Sequence, residues 1–123
     1  MPHLLLIDDD SKLTTPLRSS FERAGYDVSV APDGHTGLSK ALIENPDVVV
    51  LDVMMPGVDG RATLERLKER FAELPVILMT AKVQNEEIEE YLNLGAIGLI
   101  MKPFDPMLLP KEINDLYEKH MKN

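Results

Sequence analysis

The sequence predicts an α/β fold in which a parallel sheet is covered by helices. Three observations carry this. Short runs such as Leu4–Ile7, Val48–Leu51 and Val76–Met79 are apolar throughout, as buried strands are. Segments with apolar residues at helical spacing separate these runs, the alternation expected of strands joined by crossover helices. The chain has 123 residues, of which 44% are apolar, enough for one domain with a real core. No repeat, linker or low-complexity segment interrupts it, so one domain over residues 1–123 is expected.

The elements follow in order. A first strand covers about His3–Ile7. The first helix places Leu13, Leu17, Phe21 and Ala24 on one face and stops at Gly25. Pro16 is awkward inside it, so the helix is expected to start near Pro16, capped by Thr15, or to be disturbed early; Asp10 reads as a cap. A second strand spans about Asp27–Ala31, and Pro32-Asp33-Gly34 turns the chain into a helix ending near Glu44, with Leu38, Ala41 and Leu42 inward. The third strand is about Asp47–Leu51 and its helix about Arg61–Ala72, with Leu64, Leu67 and Phe71 buried. The fourth strand is about Val76–Met79. Its helix, about Asn85–Leu94, uses Ile88, Tyr91 and Leu92 and ends at Gly95. The fifth strand is Ile97–Met101. The last helix is expected after Asp105-Pro106, a cap followed by a proline at the first helical position, although Pro110 threatens to shift that start.

Composition narrows the function. A net charge of −8 argues against direct nucleic-acid binding, which leaves a basic footprint. Such a charge ordinarily serves solubility, but some of these acids are candidates for a cation site. No apolar stretch approaches the roughly 20 residues that span a bilayer. Met1-Pro2-His3 lacks a basic leader, and the absence of cysteine suits a reducing compartment. A cytoplasmic protein is therefore expected.

The chemistry lies at the strand ends. The first apolar run delivers Asp8 and Asp9, the third Asp52, the fourth Thr80 and the fifth Lys102. Ligands of open α/β sheets bind at strand carboxyl ends. Clustered carboxylates repel one another, and a divalent cation relieves that conflict; oxygen ligands alone favour Mg²⁺. A carboxylate can also attack phosphorus, with an ammonium and a hydroxyl neutralising the transferred group. Asp52 is then the nucleophile, Lys102 the ammonium and Thr80 the hydroxyl donor. Alone, each has a duller reading as turn former, helix cap or solvated lysine; their joint placement at separate strand ends is what gives the set its meaning. His3, His35 and His120 have no ligand-like spacing and read as surface or strand-edge residues. Met54, Met55, Met79 and Met101 read as packing.

The ordered segments Leu4–Asp10, Leu51–Gly60, Met79-Thr80-Ala81 and Met101-Lys102-Pro103-Phe104 resemble those of response-regulator receiver domains, the phosphoacceptor modules of two-component signalling. The resemblance covers about residues 3–120. It implies a flavodoxin-like (βα)₅ fold of strand order 2-1-3-4-5. It implies phosphorylation of Asp52 by a histidine kinase or histidine phosphotransfer protein, and a signalling rather than a classical enzymatic role. Asp9 and Asp52 would hold Mg²⁺ directly with the backbone carbonyl of Met54, Asp8 mainly through water. Thr80 and Lys102 would grip the phosphoryl group, and the Lys102–Pro103 peptide would be cis. The fourth helix, fifth strand and fifth helix would form the output face toward a partner protein or a linked effector domain, and a phosphorylation-dependent homodimer would use the same face.

Two residues depart from the usual pattern. Leu99 replaces the aromatic residue common three positions before the lysine, so coupling is expected through the loop after Thr80 and the fourth helix. Met54, with Lys82, flanks the expected path of hydrolytic water, and an apolar Met54 cannot orient water, so self-dephosphorylation is expected to be slow. One enzymatic alternative also fits Leu4–Asp10: a haloacid-dehalogenase-type phosphatase with Asp8 as nucleophile and Asp10 as general acid. It leaves the Asp52 segment unexplained. A module with this fold but no phosphate chemistry is disfavoured by the intact Asp8, Asp9, Asp52, Thr80 and Lys102 set.

Overall fold

In the computed structural model, residues 2–53, 60–81, 85–102 and 104–122 are described, without the side chain of Ser11. The expected Met54 carbonyl, Lys82 and the Lys102–Pro103 peptide lie outside these residues or reach beyond them. Strands β1 (His3–Ile7), β2 (Asp27–Ala31), β3 (Val48–Asp52), β4 (Val76–Thr80) and β5 (Gly98–Met101) alternate with helices α1 (Ser11–Arg23), α2 (Gly34–Glu44), α3 (Gly60–Arg70), α4 (Asn85–Asn93) and α5 (Leu109–Lys122). All strand pairs are parallel, in the order β2-β1-β3-β4-β5. This is the doubly wound arrangement expected from the sequence.

Alternation along each strand divides the core in two. Leu4, Leu6, Val48, Val50, Ile77 and Met79 join Leu17 and Phe21 of α1 and Leu109 and Ile113 of α5. Leu5, Ile7, Val49, Leu51, Val76 and Leu78 join Ala41 of α2 and Leu64 and Leu67 of α3. The central strands are buried on both faces because successive side chains point to opposite sides of the sheet and helices cover both. Phe21 meets Tyr26 edge to face, with centroids 5.5 Å apart.

Several expectations are corrected. Helix α1 starts at Ser11, well before Pro16, because Asp10 caps it fully. The Asp10 side chain accepts from the Lys12 amide at 3.0 Å, and its carbonyl accepts from Thr14 at 2.9 Å. The helix is nucleated before Pro16 is reached, so the proline only removes one hydrogen bond, to the Lys12 carbonyl. Ala24 is exposed at the C-cap rather than inward. Leu42 is 44% exposed, and Gly34, Gly37 and Ala41 are the buried residues of α2. The helix lies close to the sheet there: a Cβ on Gly37 would fall 2.4 Å from Ile7 Cδ1. Small residues therefore line the inner face.

Asp105-Pro106 does not cap α5. Asp105 instead organises a turn, its side chain accepting from the Met107 amide at 2.9 Å, and α5 begins at Leu109 with Pro110 second. A proline in the first turn lacks only an amide that has no intrahelical partner anyway. Leu92 is 44% exposed, and α4 buries none of its residues fully. Gly25 and Gly95 adopt φ of 101° and 111° after α1 and α4, as helix stops do.

Candidate functional site at the strand carboxyl ends

The crossover topology carries residues distant in sequence to one end of the sheet. Asp52 is the last residue of β3 and Thr80 the last of β4; Asp8 follows β1 and Lys102 follows β5. The strand pairing continues into this rim. The amide of Val53 donates to the Met79 carbonyl at 3.1 Å, and that of Lys102 to the Thr80 carbonyl at 2.7 Å. These bonds fix the backbone from which Asp52, Thr80 and Lys102 project, and the Asp8 amide donates to the Ala31 carbonyl at 3.0 Å.

Asp8, Asp9 and Asp52 gather with one carboxylate oxygen each within 4.8 Å of the others. Asp8 and Asp52 are buried, at 2% and 3% exposure, whereas Asp9 is open to solvent. Lys102 Nζ donates to Asp52 Oδ2 at 2.9 Å, so the buried carboxylate already has a counter-charge. Asp8 is less well served. Burial pushes its carboxyl up to about 6, the amide of Asp10 opposes that at 3.0 Å, and the neighbouring Asp52 adds to the rise.

Two atoms stand apart. Asp8 Oδ2 and Thr80 Oγ1 are buried without a hydrogen-bond partner among the described residues. Buried polar atoms are normally paired, and leaving one unpaired costs about 1–3 kcal/mol. Here they occur at the ends of β1 and β4, the strands that flank β3 and its Asp52. The donor set is all oxygen and crowded, with two of its atoms lacking a partner among the described residues, which fits a hard divalent cation beside an oxyanion.

The five side chains named from the sequence are thus brought to one rim, with Met54 outside the described residues. Asp10 is held as the α1 cap, as expected. Sequence reasoning missed an apolar wall beside Lys102, where Leu13, Ala81 and Phe104 line a cleft of about 470 Å³. Leu13 was read only as a core residue, and nothing local distinguishes an apolar side chain beside a site from one in the interior. His3, expected at the surface or a strand edge, is the first residue of the inner strand β1 and is bonded to Glu44 through Nε2 at 2.8 Å and Asp27 through Nδ1 at 3.3 Å. Leu99 is partly buried in β5, paired in register with Leu78.

With this geometry in view, comparison with known proteins assigns the chain: it belongs to the response regulator receiver domain family, whose pattern it matches over residues 4–114. It is 40% identical over 113 residues to the alkaline phosphatase synthesis transcriptional regulatory protein PhoP of Bacillus subtilis, covering 90% of this chain and 45% of that protein. It is 35% identical over 122 residues to the response regulator SaeR of Staphylococcus aureus, covering 99% of this chain and 53% of that one. The chain spans about half the length of these curated relatives. Among solved structures, the receiver domain of Francisella response regulator 1452 superposes with a TM-score of 0.87 at 35% identity, covering 97% of this chain and 98% of that one. The family is one of two-component signal transduction. The phosphatase alternative is not supported, and Asp10, its required general acid, is spent on capping α1. No helix among the described residues is long and apolar enough to cross a membrane.

Proposed function

We infer that the chain, as one receiver domain over residues 1–123, is the phosphoacceptor switch of a two-component pathway, with Asp52 receiving the phosphoryl group. The observation that carries this reading is the pair of buried atoms without a partner among the described residues, Asp8 Oδ2 and Thr80 Oγ1, contributed by the strands beside Asp52. An Asp52 oxygen attacks phosphorus of a phosphohistidine, the phosphorus–nitrogen bond breaks, and an acyl phosphate forms. Lys102, already 2.9 Å from Asp52 Oδ2, neutralises charge on the transferred group. The Thr80 hydroxyl gains an acceptor that it lacks among the described residues.

Asp9 and Asp52, with the backbone carbonyl of Met54, are the proposed direct Mg²⁺ ligands, and Asp8 acts on the ion mainly through water. When bound, Mg²⁺ supplies positive charge to the phosphoryl oxygens as transfer proceeds. The domain assists its own phosphorylation and slow dephosphorylation but is not a classical enzyme. The domain is cytoplasmic, and its donor is a histidine kinase or histidine phosphotransfer protein. Its output is a partner protein or a linked effector domain, a reading supported by relatives that are transcriptional regulators about twice its length.

Phosphorylation adds about −1.5 to −2 charges and strong acceptors at one point. Thr80 and the loop after it respond, biasing α4, β5 and α5 within a pre-existing equilibrium. Phosphorylation-dependent dimerisation through that face is part of the proposal. With Leu99 in place of an aromatic, coupling runs through the Thr80 loop. Leu99→Tyr is expected to leave phosphorylation-dependent partner affinity unchanged, and a large gain in switching would contradict this.

The deciding experiment is intact mass after incubation with acetyl phosphate, with and without Mg²⁺. One phosphoryl group is expected with Mg²⁺ in the native chain and none in Asp52→Asn. A label retained in Asp52→Asn, or located on Asp8, would overturn the assignment. The same samples followed over time are expected to lose phosphate slowly, and loss within seconds would refute the role given to Met54.

A further inference from the structure

Helix α4 is held differently from the other helices. It has no fully buried residue; Ile88 and Tyr91 are half-buried, and Leu92 is 44% exposed. Helices α1, α3 and α5, by contrast, each drive at least two side chains into the core. With so little apolar anchorage, a polar contact can contribute a large part of what fixes the position of α4.

Such a contact crosses from α3. The guanidinium of Arg61 donates through Nη1 to Glu90 of α4 and through Nε to Glu65, one turn along its own helix, at 3.3 Å. The base of this tie is rigid. Gly60, immediately before Arg61, lies so close to Val53 that a Cβ there would sit 2.6 Å from Val53 Cα. Val53 directly follows Asp52. The backbone one residue before Arg61 is therefore packed against the residue next to the proposed phosphoacceptor, while the Arg61 side chain reaches the most loosely anchored helix.

We propose that Arg61 is a latch that holds α4 in the unmodified arrangement through Glu90 and is released when Asp52 is modified. This deepens the receiver reading and rests on it for the role of Asp52. The physics is a population shift. A contact made only in the resting arrangement reduces the fraction of molecules competent to bind a phosphoryl group, and apparent affinity falls by that fraction. Both side chains are nearly half exposed, at 47% and 44%, so solvent limits the tie to an effect of up to about fivefold. Glu86 and Glu87, one turn before Glu90 on α4, repel it, so Arg61 also offsets like charges.

The test uses the full chain with Arg61→Gln, Glu90→Gln and the exchange Arg61→Glu/Glu90→Arg. In the unmodified proteins, amide hydrogen exchange of residues 85–93 is expected to accelerate by up to about fivefold in both single variants and to return toward native in the exchange. The affinity for beryllofluoride with Mg²⁺, a phosphoryl mimic, is expected to tighten by a similar factor in the singles and to revert in the exchange. Unchanged exchange of α4 in the singles would overturn the latch itself. Faster exchange with unchanged beryllofluoride affinity would overturn its link to the switch. A native chain that takes up no beryllofluoride would instead remove the reading of Asp52, and with it that link, while the exchange data still decide whether Arg61 restrains α4.

Discussion

The two ends of the sheet are both acidic, yet they are built on opposite terms. At the amino ends of the strands, polar groups find one another. The His3 amide donates to Asp47 at 2.7 Å, its ring bridges Asp27 and Glu44, and Ser29 donates to Glu44. The bonds from Ser29, the largest cause, and from His3 hold the Glu44 carboxyl below its ordinary range. At the carboxyl ends, Asp8 is pushed up by burial, and Thr80 keeps a hydroxyl with no partner among the described residues. One end is satisfied within the fold; the other is left incomplete. Paired polar groups stabilise, whereas an incomplete set leaves interactions for a ligand to make.

The largest expected break in this comparison is at Asp8. Asp8→Asn should weaken Mg²⁺ binding by about 10–100-fold, the range for groups that act on a metal through water. Without metal the same change should stabilise the fold. The Asp8 carboxyl titrates near 6 in the folded protein against an ordinary 3.8, so its ionised form is penalised by folding. That penalty is absent below the ordinary value and complete above the raised one. It corresponds to at most about 3 kcal/mol, and solvent at the open rim lowers this to about 1–2 kcal/mol. Metal-free native protein should thus gain stability as pH falls from 7 to 5, and Asp8→Asn should flatten that trend. Thermal melts across this range with and without Mg²⁺ decide it, and a native melting temperature that only falls toward pH 5 would count against the sign.

A smaller effect is expected at the satisfied end. His3→Ala strands Asp27 and Glu44 without the ring and should cost about 1–2 kcal/mol in urea unfolding. Labelling by acetyl phosphate should stay within about twofold of native, in keeping with a mainly structural role. A severe loss of labelling in a folded His3→Ala chain would break the division between the ends. The smallest effect is at Thr80. Thr80→Val keeps the shape and removes a hydroxyl without a partner among the described residues, so the unmodified protein should gain up to about 1 kcal/mol. Phosphorylation should meanwhile become slower and its product shorter-lived. A destabilised Thr80→Val protein would mean that the hydroxyl is already satisfied.

Much of the carboxyl end was legible in the sequence because each apolar run ends in a chemically distinct residue, and parallel topology brings such ends together. The strands were placed to within a residue at each end for the same reason: apolar runs with abrupt polar boundaries leave little choice. What was illegible depended on distance or on helix packing. The partners of His3 are up to 44 positions away and carry no shared pattern. The Arg61–Glu90 tie joins two helices whose exposed residues look like ordinary solvated faces. Leu42 fits the helical stripe, yet α2 approaches the sheet on Gly37 and Ala41, and the stripe alone does not disclose how close two elements come. Pro16 misdirected the start of α1 because a strong cap upstream outweighs one lost hydrogen bond.

The two-sided core has a further consequence, for the alignment of the strands. In β1 and β3 almost every position is apolar and buried, whichever face it points to. Sliding β1 by one residue would exchange its two faces but change total burial little, so hydrophobicity is a poor guard against a slip. The polar termini are the guard. A slip one way would draw Asp8 among apolar side chains, and a slip the other way would carry the His3 amide away from Asp47. The acids that prepare the rim for chemistry and the brace at the opposite end thus act together as the gauge by which the central strands find their register.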